Sequence, residues 1–364
     1  MKVLLSSALF AALFAVNIFS QYTSPESVTF DSLYNRYLVT NSNGKILQRS
    51  SAGVVTDFVS SSGGTHGLAI YNGVVYACTG STVRGFSLSN AAQVFTATVS
   101  GASFLNGIAI DGTGMIYLSD FTNKRIYKLN SSNGAYWQYV TNTVSTPNGL
   151  VLDPPRNRLL ICCWGGSAPV RAINLADSSM SIAVTTTYGN CDGIKLDKYY
   201  NVYISTWSPA RIIRYDINFS LPVVEVVSSG LSNPADIFIN KWADTLAVPN
   251  SGNSTVTFHN IGNIAGIHQV STVTPSEFSL HQNYPNPFNP ETIIKFDIPA
   301  GELKTAKLTI YNTLGKAVRE LFDSEIAPGS YEFKFDASGL SSGVYFYRLS
   351  YGNYKETKRM ILTK

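Results

Sequence analysis

The sequence predicts an all-β chain, a six-bladed β-propeller followed by a small β-sandwich. Two observations predict the propeller. A short pattern, one leading residue, usually Gly, then apolar–x–apolar, occurs six times: Glu26-Ser-Val-Thr-Phe, His66-Gly-Leu-Ala-Ile, Asn106-Gly-Ile-Ala-Ile, Asn148-Gly-Leu-Val-Leu, Asp192-Gly-Ile-Lys-Leu and Ala235-Asp-Ile-Phe-Ile. The leading residues are 40, 40, 42, 44 and 43 residues apart, a period that fits one four-stranded blade. A third observation predicts the sandwich: past residue 270 the repeat stops, and after 290 six alternating strands follow.

The elements follow in order. Lys2, the apolar run 3–19 and the small Ser20 read as a secretory signal peptide over residues 1–20, cut before Gln21. The run is short for a spanning helix and no basic cluster follows it. Blades occupy residues 21–270. Blade 3 reads as strands 107–111, 115–119, 125–129 and 136–140, rich in Ile, Val and Tyr and parted by Gly, Asn, Asp and Ser turns. Blade 4 repeats the order at 149–153, 158–163, 170–175 and 181–185, and blade 5 at 193–197, 201–205, 212–216 and 223–227. The closing strand of blade 6 is expected from 267–273 or from residues next to Gln21. Residues 271–277 read as a linker. The stretch Asn283-Tyr-Pro-Asn-Pro-Phe-Asn-Pro290 is extended or turning, because Pro has no amide to donate. Strands at 292–298, 306–311, 317–321, 329–335, 343–350 and 354–362 complete an immunoglobulin/fibronectin-like sandwich over 278–364.

Composition narrows the function. With 45% hydrophobic and 14% charged residues in 364, the chain is globular and long enough for two domains. The net charge of +4 is spread thinly, with no basic cluster interleaved with aromatics, so no nucleic acid partner is expected. The four cysteines, Cys78, Cys162, Cys163 and Cys191, allow either buried thiols or a bridge between blades 4 and 5 in an exported protein. Cys162 and Cys163 face opposite sides of a strand, so at most one of them joins such a bridge. No Cys-x-x-Cys pair, Gly-x-Ser-x-Gly elbow, His-Glu-x-x-His helix or phosphate loop is present.

Arranged about one axis, the leading residues Glu26, His66, Asn106, Asn148 and Asp192 come to one end of the channel, each able to offer a lone pair. Asn and Asp before Gly also favour a tight turn whatever the function, but Glu26 is a poor turn former and precedes Ser. Asp236 stands one step out of register, which turns it sideways on an alternating strand. Asp111, Asp153 and Asp197 end the first strands at the opposite rim and read as turn acceptors. Trp164, Trp207 and Tyr117 lie on or beyond second strands, where they line a ligand cleft or pack between blades.

Resemblances add to this. Phe278-Ser-Leu-His-Gln-Asn-Tyr-Pro-Asn-Pro-Phe-Asn-Pro290, Leu308-Thr-Ile-Tyr-Asn-Thr-Leu-Gly315, Leu340-Ser-Ser-Gly-Val-Tyr-Phe-Tyr347 and the terminal Lys358-Arg-Met-Ile-Leu closely resemble the type IX secretion sorting domain of Bacteroidetes-type bacteria. That resemblance implies export through the periplasm and outer membrane, the type IX machinery as partner, and a secreted or cell-surface destination. Pro147-Asn148-Gly-Leu-Val-Leu-Asp, Cys191-Asp192-Gly-Ile-Lys-Leu-Asp and Pro25-Glu26 resemble the matching blades of the regucalcin/gluconolactonase group. That resemblance implies one divalent cation, calcium or magnesium with calcium preferred, held by Glu26, Asn148 and Asp192. It also implies a lactone or ester substrate, with Asp192 doubling as catalytic base and Asn106 near the substrate. His66, a leading residue whose ordinary pKa lies close to neutrality, reads as a structural histidine at the channel, a fourth ligand or a proton carrier beside the substrate. Where that group carries a substrate-handling Arg and Asn, this chain reads Ser103-Phe-Leu-Asn106, with no Arg and the Asn shifted by one. Blade 3 also resembles NHL-repeat propellers, many of which only bind. The alternative expectation is therefore a non-catalytic surface propeller that binds protein or glycan.

Overall fold

Six inner strands, Pro25–Asp31, Leu68–Tyr71, Leu105–Ile110, Thr146–Asp153, Gly189–Leu196 and Phe238–Asn240, stand in a ring, each against the next and the last against the first. The computed structural model that shows this describes residues 21–364 apart from 64, 198–199, 241–244, 262–266, 272–274, 302–303 and 327. The signal peptide read over residues 1–20 lies outside them. Each of the first five blades is a four-stranded antiparallel sheet in sequential order. Blade 3 comprises Leu105–Ile110, Met115–Asp120, Arg125–Asn130 and Tyr136–Val140. In blade 4 the strands are Thr146–Asp153, Arg158–Trp164, Pro169–Asn174 and Met180–Thr185, and in blade 5 Gly189–Leu196, Val202–Ser208, Ala210–Tyr215 and Val224–Val227. The inner strands of blades 3 to 5 thus begin two to four residues before the expected starts, because the repeat pattern marks a β-bulge inside the strand. Register slips between Leu105 and Ile108, Pro147 and Leu150, and Cys191 and Ile194, so each leading residue and the Gly after it form the bulge.

The Gly after the leading residue is demanded by the neighbouring blade. A Cβ on Gly107 would lie 2.3 Å from the Asn148 carbonyl oxygen, and one on Gly149 would lie 2.5 Å from that of Asp192. Inner strands therefore meet backbone to backbone, and only Gly leaves the room. Hydroxyl and thiol groups on second strands then fix the leading carbonyls. Thr40 Oγ1 donates to the His66 carbonyl at 2.8 Å, Ser119 Oγ to that of Asn148 at 2.6 Å, and Ser205 Oγ to that of Ala235 at 2.7 Å. Cys162 Sγ does the same for Asp192 at 3.0 Å. All four cysteines are free and buried, so the chain takes the thiol option rather than a bridge between blades 4 and 5. Alternating side chains such as Ile116, Leu118 and Ile126 fill the spaces between blades.

Blade 6 differs from expectation. Among the described residues it has three strands, Phe238–Asn240, Thr245–Asn250 and Thr255–Asn260. Neither expected closing strand joins it: residues 21–24 form bends, and Ile267–Ser271 pairs instead with Gly329–Asp336 of the C-terminal sheet. Closure rests on the inner strands and on aromatic packing between blades 1 and 6, with Tyr37 at 4.9 Å from Phe258 and Arg49 over the Phe258 ring at 4.4 Å.

The C-terminal region is a sandwich of two four-stranded sheets. One runs Ile267–Ser271, Gly329–Asp336, Glu291–Ile298 and Ser279–Leu280; the other runs Ala317–Ile326, Lys304–Tyr311, Gly343–Tyr351 and Tyr354–Leu362. Phe296, Phe322, Phe335, Tyr347 and Leu349 fill the space between them. The Pro- and Asn-rich stretch lies along the sandwich, held by side chains. Asn283 Nδ2 donates to Thr292 Oγ1 at 2.9 Å and to the Pro285 carbonyl at 3.0 Å, and buried Phe288 pairs by backbone with Ile361. Among the described residues no helix is long and apolar enough to cross a membrane.

Candidate functional site

Inner strands begin where second strands end, so the six leading residues and the last residues of the second strands share one rim. Glu26 and Asp192 lie there close enough for each carboxylate to act on its surroundings. Burial pushes the Glu26 carboxyl up to about 7. Asp192, only 7% exposed, is held well above the usual carboxylate range, by burial first and then by the charges of Glu26 and Asp236. A hydrogen bond from Trp207 and the charge of Lys195 oppose that rise without cancelling it.

Asn148 is 2% exposed, and its Nδ2 donates to the Cys191 carbonyl at 3.3 Å. That commits the donor end of the amide and leaves Oδ1 as the end suited to a ligand. His66 sits at the same rim, with its ring edge-on to Phe104 at 4.5 Å. Its buried Nδ1 has no hydrogen-bond partner among the described residues, and burial lowers its pKa to about 4, so it is neutral at neutral pH. Asn106 is half-buried, and its carbonyl accepts from the Gly67 amide at 2.9 Å.

Asp236 is not turned away, as strict alternation predicts. It occupies the place of the repeat Gly, is 8% exposed, and accepts from Ser27 Oγ at 2.7 Å and Lys195 Nζ at 2.7 Å. Lys195 is a site residue that sequence reasoning missed: in the repeat it is only the variable position between two apolar ones. It also lines a cavity of about 310 Å³ on the side away from the leading residues, with Val151, Leu152, Leu196, Phe238 and Ile239. The acids at the other rim do serve turns: Asp111 Oδ1 accepts from the Thr113 and Met115 amides, and Asp197 Oδ1 from that of Asn201. Asp153 instead pairs with Arg158 at 2.8 Å.

Aromatic side chains complete the mouth. Phe104, Phe121, Trp164 and Trp207 follow one another edge to face, with centroids 5.7, 6.0 and 4.9 Å apart. Each is half-buried, and Trp207 Nε1 donates to the Pro234 carbonyl at 3.0 Å. Tyr117 is not among them. It is 4% exposed and packs on Tyr139 and Lys128, away from the mouth. Phe121, Trp164 and Trp207 fall 15, 16 and 15 residues after Asn106, Asn148 and Asp192. This regular offset is a signal that the sequence carried. In blades 1 and 6 serines, Ser42 and Ser251, stand 16 residues after Glu26 and Ala235.

The donors suit a hard divalent cation. Two acids and an amide stand at the leading positions of blades 1, 5 and 4, the Glu26 charge acts on Asp192, and among the described residues neither Glu26 nor Asp192 has an ion-pair partner. Also among the described residues, no three His, Cys, Asp or Glu side chains group so as to hold a metal alone; this set has two acids and an amide.

Comparison with known proteins agrees with the architecture. A proposed gluconolactonase of known structure superposes with a TM-score of 0.54 at 14% identity, over 64% of this chain and 87% of that one. A streptogramin B lyase gives 0.50 at 15% identity, over 66% and 84%. At such identities the likeness is one of fold. No curated protein sequence matches the chain. Residues 282–363 match the secretion system C-terminal sorting domain. The chain is thus a six-bladed β-propeller that ends in a secretion system C-terminal sorting domain, handled by the type IX machinery and exported to the cell surface or outside.

Proposed function

We propose that the propeller mouth holds one divalent cation, calcium, between Glu26, Asn148 and Asp192, and that the protein hydrolyses a lactone or related ester there after export directed by a signal peptide over residues 1–20. The observation that carries this reading is the pair of buried carboxylates, Glu26 and Asp192, whose pKa values burial raises. Without a cation this pair costs stability; with one, both acids ionise and act as ligands. When bound, the cation polarises a lactone carbonyl and lowers the pKa of water. Asp192 would receive the proton lost by the attacking water. The carbonyl bonds from Cys162 and Ser119 hold the backbone of Asp192 and Asn148 in place as this happens.

A second reading, a propeller that binds glycan or protein without catalysis, draws on the segment Ser103–Asn106, which lacks the substrate-handling Arg. One experiment separates the two. The metal-stripped full-length chain and its Glu26→Gln/Asp192→Asn variant are titrated calorimetrically with calcium, and lactone turnover is measured beside them. Micromolar binding lost in the variant, with calcium-dependent turnover, is the expected result. Absent binding in the parent chain would overturn the cation; binding without turnover of any lactone or ester would leave the second reading.

A further inference from the structure

The mouth has two unlike sides. Blades 5, 6 and 1 bring Asp192, Asp236 and Glu26, with Lys195 ion-paired to Asp236 and its charge also acting on Asp192. Blades 2 to 5 bring an unbroken arc of five half-buried rings, His66, Phe104, Phe121, Trp164 and Trp207, with centroids 4.5, 5.7, 6.0 and 4.9 Å apart. The arc starts at the leading residue His66 and ends at Trp207, which closes the second strand of blade 5 and donates its N–H to the Pro234 carbonyl beside the leading Ala235, so it belongs to the same mouth. It is also built rather than incidental. The Asp120 carboxylate, fully buried, accepts from the Ser103 and Phe104 amides at 3.1 Å each and from the Asn123 amide at 3.2 Å, which fixes the turn that presents Phe104.

We propose that this arc is a specificity wall that takes a flat apolar ring, so that the ligand is an aryl lactone or aryl ester rather than a polyhydroxylated sugar lactone. The lactone half of that statement rests on the function proposed above; the ring half rests on the arc alone. Two arguments support the ring. Half-buried aromatic faces and edges gain from covering an apolar ring, and offset or edge-on aromatic pairs add to simple burial. Of the polar atoms of the wall, the Trp207 indole N–H is already given to the Pro234 carbonyl and the His66 Nδ1 is buried; the rings of Phe104 and Phe121 have none, which leaves the Trp164 indole N–H and the His66 Nε2. Sugar hydroxyls pressed against Phe104 and Phe121 would lose water without gaining partners there. Phe104 stands in the segment where a polar substrate handler is missing, which is consistent with this change of ligand.

The test uses two hydrolysis-resistant probes of one functional class: dihydroquinolinone, an aryl lactam, and gluconolactam, its polyhydroxylated counterpart. Both are titrated calorimetrically into the full-length chain, with calcium and after chelation, for the parent, Trp164→Ala and Trp164→Phe. The expected result is at least tenfold tighter binding of the aryl lactam, a preference lost in Trp164→Ala and kept in Trp164→Phe. Equal or tighter binding of gluconolactam, or a preference that Trp164→Ala leaves intact while Trp164→Phe binds normally, would overturn the wall. Should Trp164→Ala fail to fold, the parent's probe preference still decides. A preference that survives chelation in a chain that binds no calcium would sink the cation and keep the wall. Calcium binding without an aryl preference would do the reverse.

Discussion

Ser27 Oγ donates to Asp236 Oδ2 at 2.7 Å, and the Asp236 amide donates to the Glu26 carbonyl at 2.9 Å. These two bonds stitch the last inner strand to the first. Elsewhere the position of Ser27 and Asp236 is Gly67, Gly107, Gly149 or Gly193, so the ring departs from its own repeat where it closes. With only three described strands in blade 6, that seam depends on side chains. Ser27→Ala is expected to lower unfolding stability by about 1–2 kcal/mol. Denaturant unfolding, read against Ser42→Ala at the exposed rim as control, checks it; an equal loss in both would remove the special role of the seam.

The bulge glycines make a sharper prediction. Gly149→Ala places a Cβ 2.5 Å from the Asp192 carbonyl oxygen and 3.0 Å from Gly193 Cα, both backbone atoms that cannot swing aside. A loss of about 3 kcal/mol is expected, with weaker cation binding because the Asp192 backbone must shift. Gly112→Ala, which meets nothing within 4 Å, is expected to change stability little. Thermal unfolding of both variants decides.

Protonation links the site to stability. The folded chain holds the Glu26 proton more tightly than the unfolded chain, with the pKa raised to about 7 by burial. The contribution is therefore full below the unfolded pKa and is lost as pH rises toward 7, by up to about 3 kcal/mol. His66 has the opposite sign: its pKa, lowered to about 4, favours the folded chain above pH 6.5 and loses that contribution as pH falls. Thermal scans of the metal-free chain from pH 4 to 8 should show a smaller loss on raising pH in Glu26→Gln than in the parent. Calcium affinity should rise as pH is raised toward 7 and then level off. A parent and a Glu26→Gln variant with parallel profiles would contradict the raised carboxyl.

Position on the inner strand is expected to decide which acids bind the proposed cation. Asp192→Ala should abolish calcium binding. Asp153→Ala, at the far end and paired with Arg158, should keep it while costing about 3 kcal/mol of stability, because the arginine loses its buried partner. Titration and unfolding of both variants separate the two effects; equal loss of binding would undo the assignment of the mouth.

In the C-terminal sandwich, Tyr347 OH accepts from the Asn283 amide and donates to the His281 carbonyl, each at 2.8 Å. Tyr347→Phe leaves the buried Asn283 amide and the His281 carbonyl without this partner and is expected to cost about 1–3 kcal/mol. Loosening the Asn283–Pro290 stretch should also reduce export, measured as the share of protein reaching the medium or cell surface.

The blade count, the strand order, the sandwich and the sorting tail were legible in the chain because each depends on local periodicity. Apolar–x–apolar strands, Gly at the bulge and Asn or Asp turns recur every 40 to 44 residues, and no long-range fact is needed to see them. The leading residues were legible for the same reason. What the chain could not disclose is what crosses between blades. Asp236 read as misplaced because strict alternation ignores the bulge that re-aims it toward Ser27 and Lys195. Tyr117 and Trp164 looked alike as aromatics on second strands, yet one packs between blades and the other joins the mouth, since Tyr117 lies mid-strand and Trp164 ends its strand at the rim. Ile267–Ser271 had the composition to close blade 6 and went to the sandwich, where an edge was open to it. The elements and their repeat follow from local patterning along the chain, whereas the meeting of charges and rings follows from packing, because burial and electrostatics depend on distance through space rather than along the chain.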